Sequence, residues 1–154
     1  MSFFKVEDMI NGAEGEAYAT IRGEVHNLFF LKNLEATAEK SKTDHKVLGK
    51  RGTQYRANGW EGSGSMTIYY ATSMFRKLMI EYIKTGRDVY FDIMIVNNDP
   101  QSSLGKQTVV LKNCNLDSVL LAKIDVESEV LEEDMDFTFD DVELLDEFGA
   151  PINF

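Results

Sequence analysis

The chain has 154 residues, of which 44% are hydrophobic, and this is enough for one folded domain with an apolar core. Its 16 basic and 26 acidic residues give a net charge of −10, and such a surface repels phosphates at long range, which argues against a protein that reads nucleic-acid sequence. Cys114 is the only cysteine, so the sequence excludes an intramolecular disulfide and a cysteine-rich metal site and favours a small buried side chain.

The first residues lack the basic start and long apolar stretch of a signal peptide, and no stretch reaches the roughly 20 apolar residues that span a bilayer. We therefore expect a protein that is made and folded in the cytoplasm, without stable membrane association.

The N-terminal part of the chain predicts an arm followed by a hairpin. Residues 3–14 suit a short helical or irregular arm. The weak alternation over Ala17–Ile21 predicts a strand that enters a tight turn with Gly23 as its first central residue. The return strand begins at Val25, and the apolar run 28–31 indicates burial on both faces.

A clear two-residue alternation follows over residues 34–39. Leu34, Ala36 and Ala38 fall on one face, and Glu35, Thr37 and Glu39 fall on the other. This pattern is typical of a strand with one packed and one wet side. Residues 41–53 are polar and basic and contain two glycines, so they predict a long hairpin loop.

The next predicted strand, Gln54–Tyr70, is rich in glycine. Gly62 and Gly64 share their face with the apolar residues Trp60, Met66, Ile68 and Tyr70, and the opposite face carries Glu61, Ser63 and Ser65. Glycine inside a strand marks a bend or a close approach of other atoms, and we interpret this segment as a curved strand.

One amphipathic helix is predicted over residues 73–85. Ser73 is placed to cap its N-terminus, and Gly86 is placed to end it. The apolar stripe at helical spacing consists of Met74, Phe75, Leu78, Met79, Tyr82 and Ile83.

The C-terminal half predicts three more strands. Val89–Val96 is followed by the turn Asn97–Pro100 and a polar loop, and two long strands then cover Gln107–Ile124 and Ser128–Leu145. In the last strand, Leu131, Met135, Phe137 and Phe139 point one way, and Glu132, Asp134, Asp136, Thr138 and Asp140 point the other.

The fold class is therefore mainly β with one α-helix, as a single domain over residues 1–154. The strands are antiparallel, and the helix covers one sheet face. Several predicted strands far exceed the usual five or six residues, and a compact monomer has little use for such lengths.

No segment carries a convincing catalytic or ligand motif. Residues 59–65 resemble a phosphate loop but lack its Gly-Lys-Ser/Thr ending and a following helix. Oxygen-bearing side chains at every second position, Asp134, Asp136, Thr138 and Asp140, resemble the start of a calcium loop. The positions of that loop that need glycine and glutamate are occupied here by Phe139 and Leu145. Calcium binding stays open beside the simpler interpretation, a strand with an acidic face.

Neither His26 nor His45 accompanies a nucleophile motif, so a catalytic triad has no support. We expect no cofactor, no metal and no enzyme activity.

Charge is segregated along the chain. Only Asp44 opposes the basic residues of segment 40–56, and no basic residue follows Lys123, whereas twelve acidic ones do. The basic set is Lys40, Lys42, Lys46, Lys50, Arg51 and Arg56. One interpretation is an uneven soluble surface. The other is complementarity between copies arranged head to tail, which builds rings or filaments.

In their succession, these segments resemble a known family. The matching stretches are Ile10–Gly15, Glu39–Lys42, Leu48–Arg51, Ala57–Gly59, Gly62–Gly64, Thr67–Tyr70, Thr72–Phe75, Asp117–Ser118, Asp125–Glu129 and Glu132–Phe139. The chain resembles the tail tube proteins of PBSX-type defective prophages and related contractile tails, including R-type bacteriocins.

The resemblance implies two packed antiparallel sheets in a sandwich or barrel, and six subunits closing a ring in which each gives four strands to a continuous inner β-barrel. Rings would stack into a hollow tube inside a sheath protein, with baseplate or tube-initiator and tape-measure proteins as further partners. DNA would be at most a non-specific passing cargo. The subunit would be made in the bacterial cytoplasm and incorporated into the phage tail or bacteriocin particle.

Two residue sets follow as expectations. The candidates for the lumen wall are Glu35, Thr37, Glu39, Glu61, Ser63, Ser65, Asp134, Asp136 and Thr138. The candidates for contacts between rings, on a hairpin loop at about 41–56, are Lys42, Lys46, Lys50, Arg51 and Arg56. A wall of carboxylates would repel DNA phosphates and let DNA slide.

Three alternatives remain at this point. A type VI secretion-like tube has a related architecture and different partners. A small-ligand β-barrel predicts a monomer with a closed apolar pocket, and an enzyme lacks a catalytic constellation. The sequence leaves open whether the parent particle is an infectious phage, a defective prophage or a bacteriocin.

Overall fold

The computed structural model describes residue 12, residues 15–100 and residues 102–149. The arm predicted for residues 3–14 lies outside this part of the chain apart from Gly12 and so stays a prediction. The described elements are β1 Gly15–Ile21, β2 Glu24–Asn27, β3 Leu31–His45, β4 Gln54–Tyr69, α1 Met74–Thr85, β5 Phe91–Asn98, β6 Lys106–Leu116, β7 Glu132–Phe139 and β8 Asp141–Asp146.

The strands form two antiparallel layers joined through β6. The first layer has the order β2-β1-β5-β6-β8, and the second has the order β7-β4-β3. The end of β6 joins them, because Asn115 pairs with Thr138 and Leu116 pairs with Phe137. The predicted fold class, mainly antiparallel β with one helix, is confirmed.

One hydrophobic core lies between the layers. The strands and the helix contribute Ala19, Met66, Ile68, Phe75, Ile93, Leu111, Cys114, Met135 and Phe137, each at most 2% exposed. Strand β7 shows why the alternation predicts this arrangement: Met135, Phe137 and Phe139 are buried, whereas Asp134, Asp136 and Thr138 are exposed. Burial of these apolar side chains is the dominant stabilising contribution.

The first hairpin turns one residue earlier than predicted. Its two central residues are Arg22 (φ 52°) and Gly23 (φ 83°), so both lie in the left-handed region, as a type I′ turn requires. Gly23 is therefore the second central residue, and the prediction that it is the first is wrong. The guanidinium of Arg22 forms an ion pair with Glu81 of α1.

The apolar run at 28–31 is not one doubly buried strand. It is the crossing from β2 in the first layer to β3 in the second, and its last residue, Leu31, is half-buried against the core. Leu28 and Phe30 are buried, whereas Phe29 is 84% exposed. Phe29 is exposed because the chain is passing from one layer to the other there, so no second layer covers its side; this crossing depends on the tertiary fold and is not visible in the apolar run itself.

The glycines of β4 make room for aromatic rings. Gly62 pairs with Phe139 and Gly64 with Phe137 across the β4–β7 ladder. A Cβ atom built on Gly64 would lie against the ring of Phe137 and 2.6 Å from the carbonyl oxygen of Glu35. These two glycines therefore serve the close approach of neighbouring atoms, the second of the two roles considered for them.

Helix α1 ends as predicted but begins differently. Gly86 has φ 74°, and its N–H donates to the carbonyl of Tyr82 at 2.8 Å, which is a left-handed C-terminal cap. Ser73 makes no side-chain capping bond; the Met74 N–H donates instead to Thr72 Oγ1 at 3.2 Å. Of the apolar stripe, Met74, Phe75 and Leu78 pack against the core, whereas Tyr82 and Ile83 are exposed.

The long C-terminal strands are shorter than predicted. Strand β6 ends at Leu116, and the chain then runs as a loop to residue 131. The last predicted strand breaks at Asp140, whose N–H donates to the Lys112 carbonyl at 3.2 Å, and β8 continues in the other layer. Strand β3, in contrast, extends to His45, so the hairpin loop covers only residues 46–53.

Candidate assembly surfaces

All nine candidates for the lumen wall lie on one side of the three-stranded layer, which we call the polar face. The ladder aligns them in rows across the strands, Thr37–Ser63–Thr138 and Glu35–Ser65–Asp136 among them. Each of the nine is exposed. The face exists because successive side chains of a strand alternate, and the opposite side of β4 and β7 carries the core residues Met66, Ile68, Met135 and Phe137. On β3 the predicted packed side is only partly so: Leu34 is half-buried against the core, whereas Ala36 and Ala38 are exposed, since β3 is the outer strand of the layer.

The polar face is acidic. It carries the carboxylates of Glu35, Glu39, Glu61, Asp134 and Asp136, and Glu39 lies directly opposite Glu61. Like charges opposite each other destabilise a sheet, so this face is not arranged for the stability of one chain. Two neighbouring positions complete it. Thr67 shares the predicted face of Glu61, Ser63 and Ser65, and its hydroxyl donates to Asp134 Oδ1 at 2.6 Å. Asn33, which pairs with Thr67, was not singled out from the sequence.

The acidic alternation of β7 cannot bring its oxygens onto one calcium ion. Asp134, Asp136 and Thr138 stand on the same face at intervals of about 6.6 Å, because each strand residue advances about 3.3 Å. Calcium needs six to eight oxygens at about 2.3–2.6 Å. Within the described residues, no group of three or more possible metal-binding side chains is assembled.

Strand β3 ends the layer, since β4 is its neighbour on one side and no other described strand pairs with it. This edge is fifteen residues long. On the far side of the layer, β7 pairs with β6 through Thr138 and Phe137, and just past β6 the Asp117 N–H donates to the Asp136 carbonyl at 2.8 Å. The edge of β3 and the part of β7 before Asp136 therefore present backbone groups that another strand can bond.

Beyond the row that joins Gly62 to Phe139, β3 and β4 continue with no third strand from the described part of the chain. We call residues 40–60 the hairpin arm. Its strands extend about 20 Å past the last residue of β7, taking 3.3 Å for each of residues 40–45. An isolated two-stranded ribbon is marginally stable in water, so such an arm is expected to pack against another molecule.

The five basic candidates all lie on this arm. Lys42 and Arg56 are on its strands, and Lys46, Lys50 and Arg51 are in or next to the loop at its tip. All five are exposed. The tip also carries Val47 and Leu48, and Leu48 is fully exposed at 104%. Cationic and apolar side chains thus occur together at the end of the arm.

Sequence reasoning missed a buried ion pair behind the polar face. Glu133, 2% exposed, pairs with Arg76 of α1, which also donates to the carbonyls of Thr72 and Leu120 and lies 4.5 Å from the ring centroid of Tyr70. One signal was available: Glu133 has the same parity as the core residue Met135. The pair ties the helix to β7 and to the 117–131 loop.

No helix in the described part of the chain is long and apolar enough to cross a bilayer.

The two-layered β-fold is shared by solved parts of contractile injection machines. A chain in the cryo-EM structure of the anti-feeding prophage baseplate gives a TM-score of 0.66 at 14% identity, covering 94% of this chain and 97% of that one. A chain in the sheath–tube complex of an extracellular contractile injection system, PVC, gives 0.64 at 13% identity, covering 90% and 93%. At such identities the likeness establishes the fold.

The sequence decides the family. The model for the phage tail tube protein family matches residues 2–146, and the chain belongs to that family. The phage-like element PBSX protein XkdM of Bacillus subtilis (strain 168) is 38% identical over 140 residues, which are 91% of this chain and 92% of that protein. The resemblance to PBSX-type tail tube proteins is thus confirmed, and the chain is a tail tube protein of phage-like contractile systems.

Proposed function

We propose that six copies of this chain close a ring whose three-stranded layers join edge to edge into one β-barrel, and that rings stack into a hollow tube. The observation that carries the proposal is the polar face: it is acidic, β4 and β7 pack against the core with their other side, and among the described residues β3 has no second partner strand. The baseplate structure to which the chain is similar is 6-fold symmetrised, which supports the ring size.

Closure explains why long edges are tolerated. An exposed edge of fifteen residues is a template for uncontrolled pairing, and a closed barrel removes every edge. In the ring, the outer edge of β3 pairs with the free side of β7 or its flanking segment in the next subunit. Each subunit then supplies the backbone partners that its neighbour lacks.

The polar face lines the lumen in this arrangement. Five carboxylates from every subunit give the wall a negative potential, which repels the phosphates of nucleic acid and prevents it from sticking. The opposition of Glu39 and Glu61 is unfavourable within one chain, and in the ring it adds to the negative potential of the lumen wall.

The hairpin arm connects successive rings, with Lys42, Lys46, Lys50, Arg51 and Arg56 as its contact residues. Its projection beyond the core and its exposed apolar tip support this role. The outer surface of the tube faces a sheath protein. Baseplate or tube-initiator proteins and tape-measure proteins are the further partners of the tube. The subunit is made in the bacterial cytoplasm, and its role in the particle is structural, without enzymatic chemistry.

Cryo-EM of tubes, either isolated or within the native particle, tests the ring. We expect a β-barrel that crosses subunit boundaries, with Asp134 and Asp136 on its inner wall. A particle in which every strand is paired within its own chain, with no sheet shared between copies, contradicts the proposal.

A triple charge reversal tests the arm. Lys46→Glu/Lys50→Glu/Arg51→Glu removes the cationic tip without touching the core, so subunits should fold and form rings that fail to elongate, as seen by electron microscopy and circular dichroism. The matched control reverses the exposed residues Lys77, Lys84 and Arg87, which changes the net charge by the same amount, and it should leave tube length unchanged. Tubes of normal length from the triple variant refute the role of the arm.

A further inference from the structure

The two ends of the three-stranded layer differ in charge and are far apart. Strand β4 begins next to the basic tip and runs sixteen residues to Tyr69, which pairs with Glu132 at the start of β7. At about 3.3 Å per residue, this strand is about 50 Å long. The loop that precedes β7 therefore lies at the opposite end of the layer from the tip.

Backbone and side-chain bonds hold that loop at its end. The Tyr70 N–H donates to the Leu131 carbonyl at 2.9 Å, and Lys123 Nζ donates to the Glu132 carbonyl at 3.3 Å. Between these anchors, residues 124–130, which we call the acidic loop, turn tightly: the Ser128 N–H donates to the Asp125 carbonyl at 3.4 Å.

The acidic loop combines exposed apolar side chains with carboxylates. Ile124 and Val126 are 97% and 98% exposed, and Val130 is 59% exposed. Glu127 and Glu129 are exposed between them, and no ion pair is present for either among the described residues. Apolar groups left this far in water are characteristic of a surface that another molecule covers.

The tip of the hairpin arm has the complementary composition. Val47 and Leu48 are its exposed apolar residues, and Lys46, Lys50 and Arg51 surround them. Because the two segments lie about 50 Å apart along one layer, they cannot meet within one molecule. They face each other when one subunit is stacked on another in the same orientation, which is the head-to-tail contact that propagates without limit.

We propose that the acidic loop 124–130 is the receptor for the tip of the hairpin arm of a second copy in the adjacent ring. This inference rests on the proposed stacking of rings and names the surface that the arm contacts. Val47 and Leu48 of one copy pack against Ile124 and Val126 of the next, and the surrounding charges set register and orientation.

Charge exchange tests the pairing. The variant Glu127→Lys/Glu129→Lys should fold and form rings that do not elongate. Adding Lys50→Glu/Arg51→Glu to the same chain restores opposite charges across the contact and should restore tubes. Asp125 stays unchanged because its side chain accepts a hydrogen bond from the Glu127 N–H at 3.0 Å and shapes the turn.

A second combination separates local pairing from overall charge. Glu127→Lys/Glu129→Lys together with Lys77→Glu/Lys84→Glu on α1 has the same net charge as the rescued variant. It should remain unable to elongate, because the basic tip still faces a basic loop. Equal rescue by both combinations overturns the proposal.

Cross-linking tests the contact directly in assembled tubes. With Leu48→Cys and Val126→Cys in one chain, mild oxidation should link each ring to the next and give a ladder of covalent multimers on a denaturing gel. Each single variant should give no ladder, and the buried Cys114 adds no background. Absence of multimers from the double variant in tubes of normal length overturns the assignment.

The outcomes also separate this inference from the proposed function. If reversal of the acidic loop leaves elongation intact while reversal of Lys46, Lys50 and Arg51 abolishes it, the arm joins rings at another surface and only the receptor assignment fails. If neither reversal affects elongation, the arm does not join rings, and the stacking part of the proposed function fails with it.

Discussion

The substitution Gly64→Ala tests whether β4 needs glycine for space. The added Cβ atom would meet the ring of Phe137 and lie 2.6 Å from the carbonyl oxygen of Glu35. The ring is a buried core side chain, and the carbonyl belongs to the paired strand β3, so neither moves without disturbing the β3–β4–β7 ladder. The change therefore overpacks the layer that carries the polar face.

The cost follows from two opposing effects. Overpacking destabilises by about 1–3 kcal/mol, and the fixed carbonyl puts this site near the upper value, about 3 kcal/mol. Alanine also reduces the entropy of the unfolded chain, which offsets about 0.4–1 kcal/mol. The free energy of unfolding should fall by about 2 kcal/mol, which corresponds to a decrease in Tm of about 4–8 °C for a chain of this length.

Thermal unfolding followed by circular dichroism measures this effect, with Gly52→Ala as the matched control. At Gly52 the nearest atom to an added Cβ is 3.9 Å away, so the control should keep or slightly raise the Tm. If Gly64→Ala melts at the wild-type temperature, the steric reason given for the glycine is wrong.

Two further predictions concern buried groups. Glu133→Ala leaves the largely buried guanidinium of Arg76 without its carboxylate, so the free energy of unfolding measured by denaturant titration should fall by about 3 kcal/mol. Glu143→Ala, which breaks an exposed ion pair, should change it little, and equal losses in the two variants contradict the argument. Burial raises the pKa of the Cys114 thiol from 9.0 to about 12, so the stability due to its protonated form is complete below pH 9 and is lost as pH rises from 9.0 towards 12. A thiol reagent at pH 8 should label Cys114 slowly in the native state and rapidly in denaturant, and fast native labelling disproves its burial.

The helix and most of the strands, and the sides they bury, could be predicted from the periodicity of apolar residues within each segment. The alternation over residues 34–39 and 131–139, the stripe of α1 and the glycine after it depend on local geometry that every strand or helix shares. The nine polar residues could therefore be assigned to strand faces correctly, and the core residues Met66, Ile68 and Phe137 with them. The separation of a basic segment at residues 40–56 from an acidic C-terminal part could also be read from the sequence, since it depends only on composition along the chain.

Only the tertiary structure decided features that depend on contacts between distant segments. Sequence alternation continues through Asp140, but the bond to Lys112 breaks the strand and moves β8 into the other layer. The need for Gly64 arises from Phe137, more than seventy residues away, and the burial of Glu133 is compensated by Arg76 on the helix. Local patterns specify which side of an element is apolar; which elements meet, and so which end of the molecule each charged surface occupies, is set by packing between elements that local sequence does not encode.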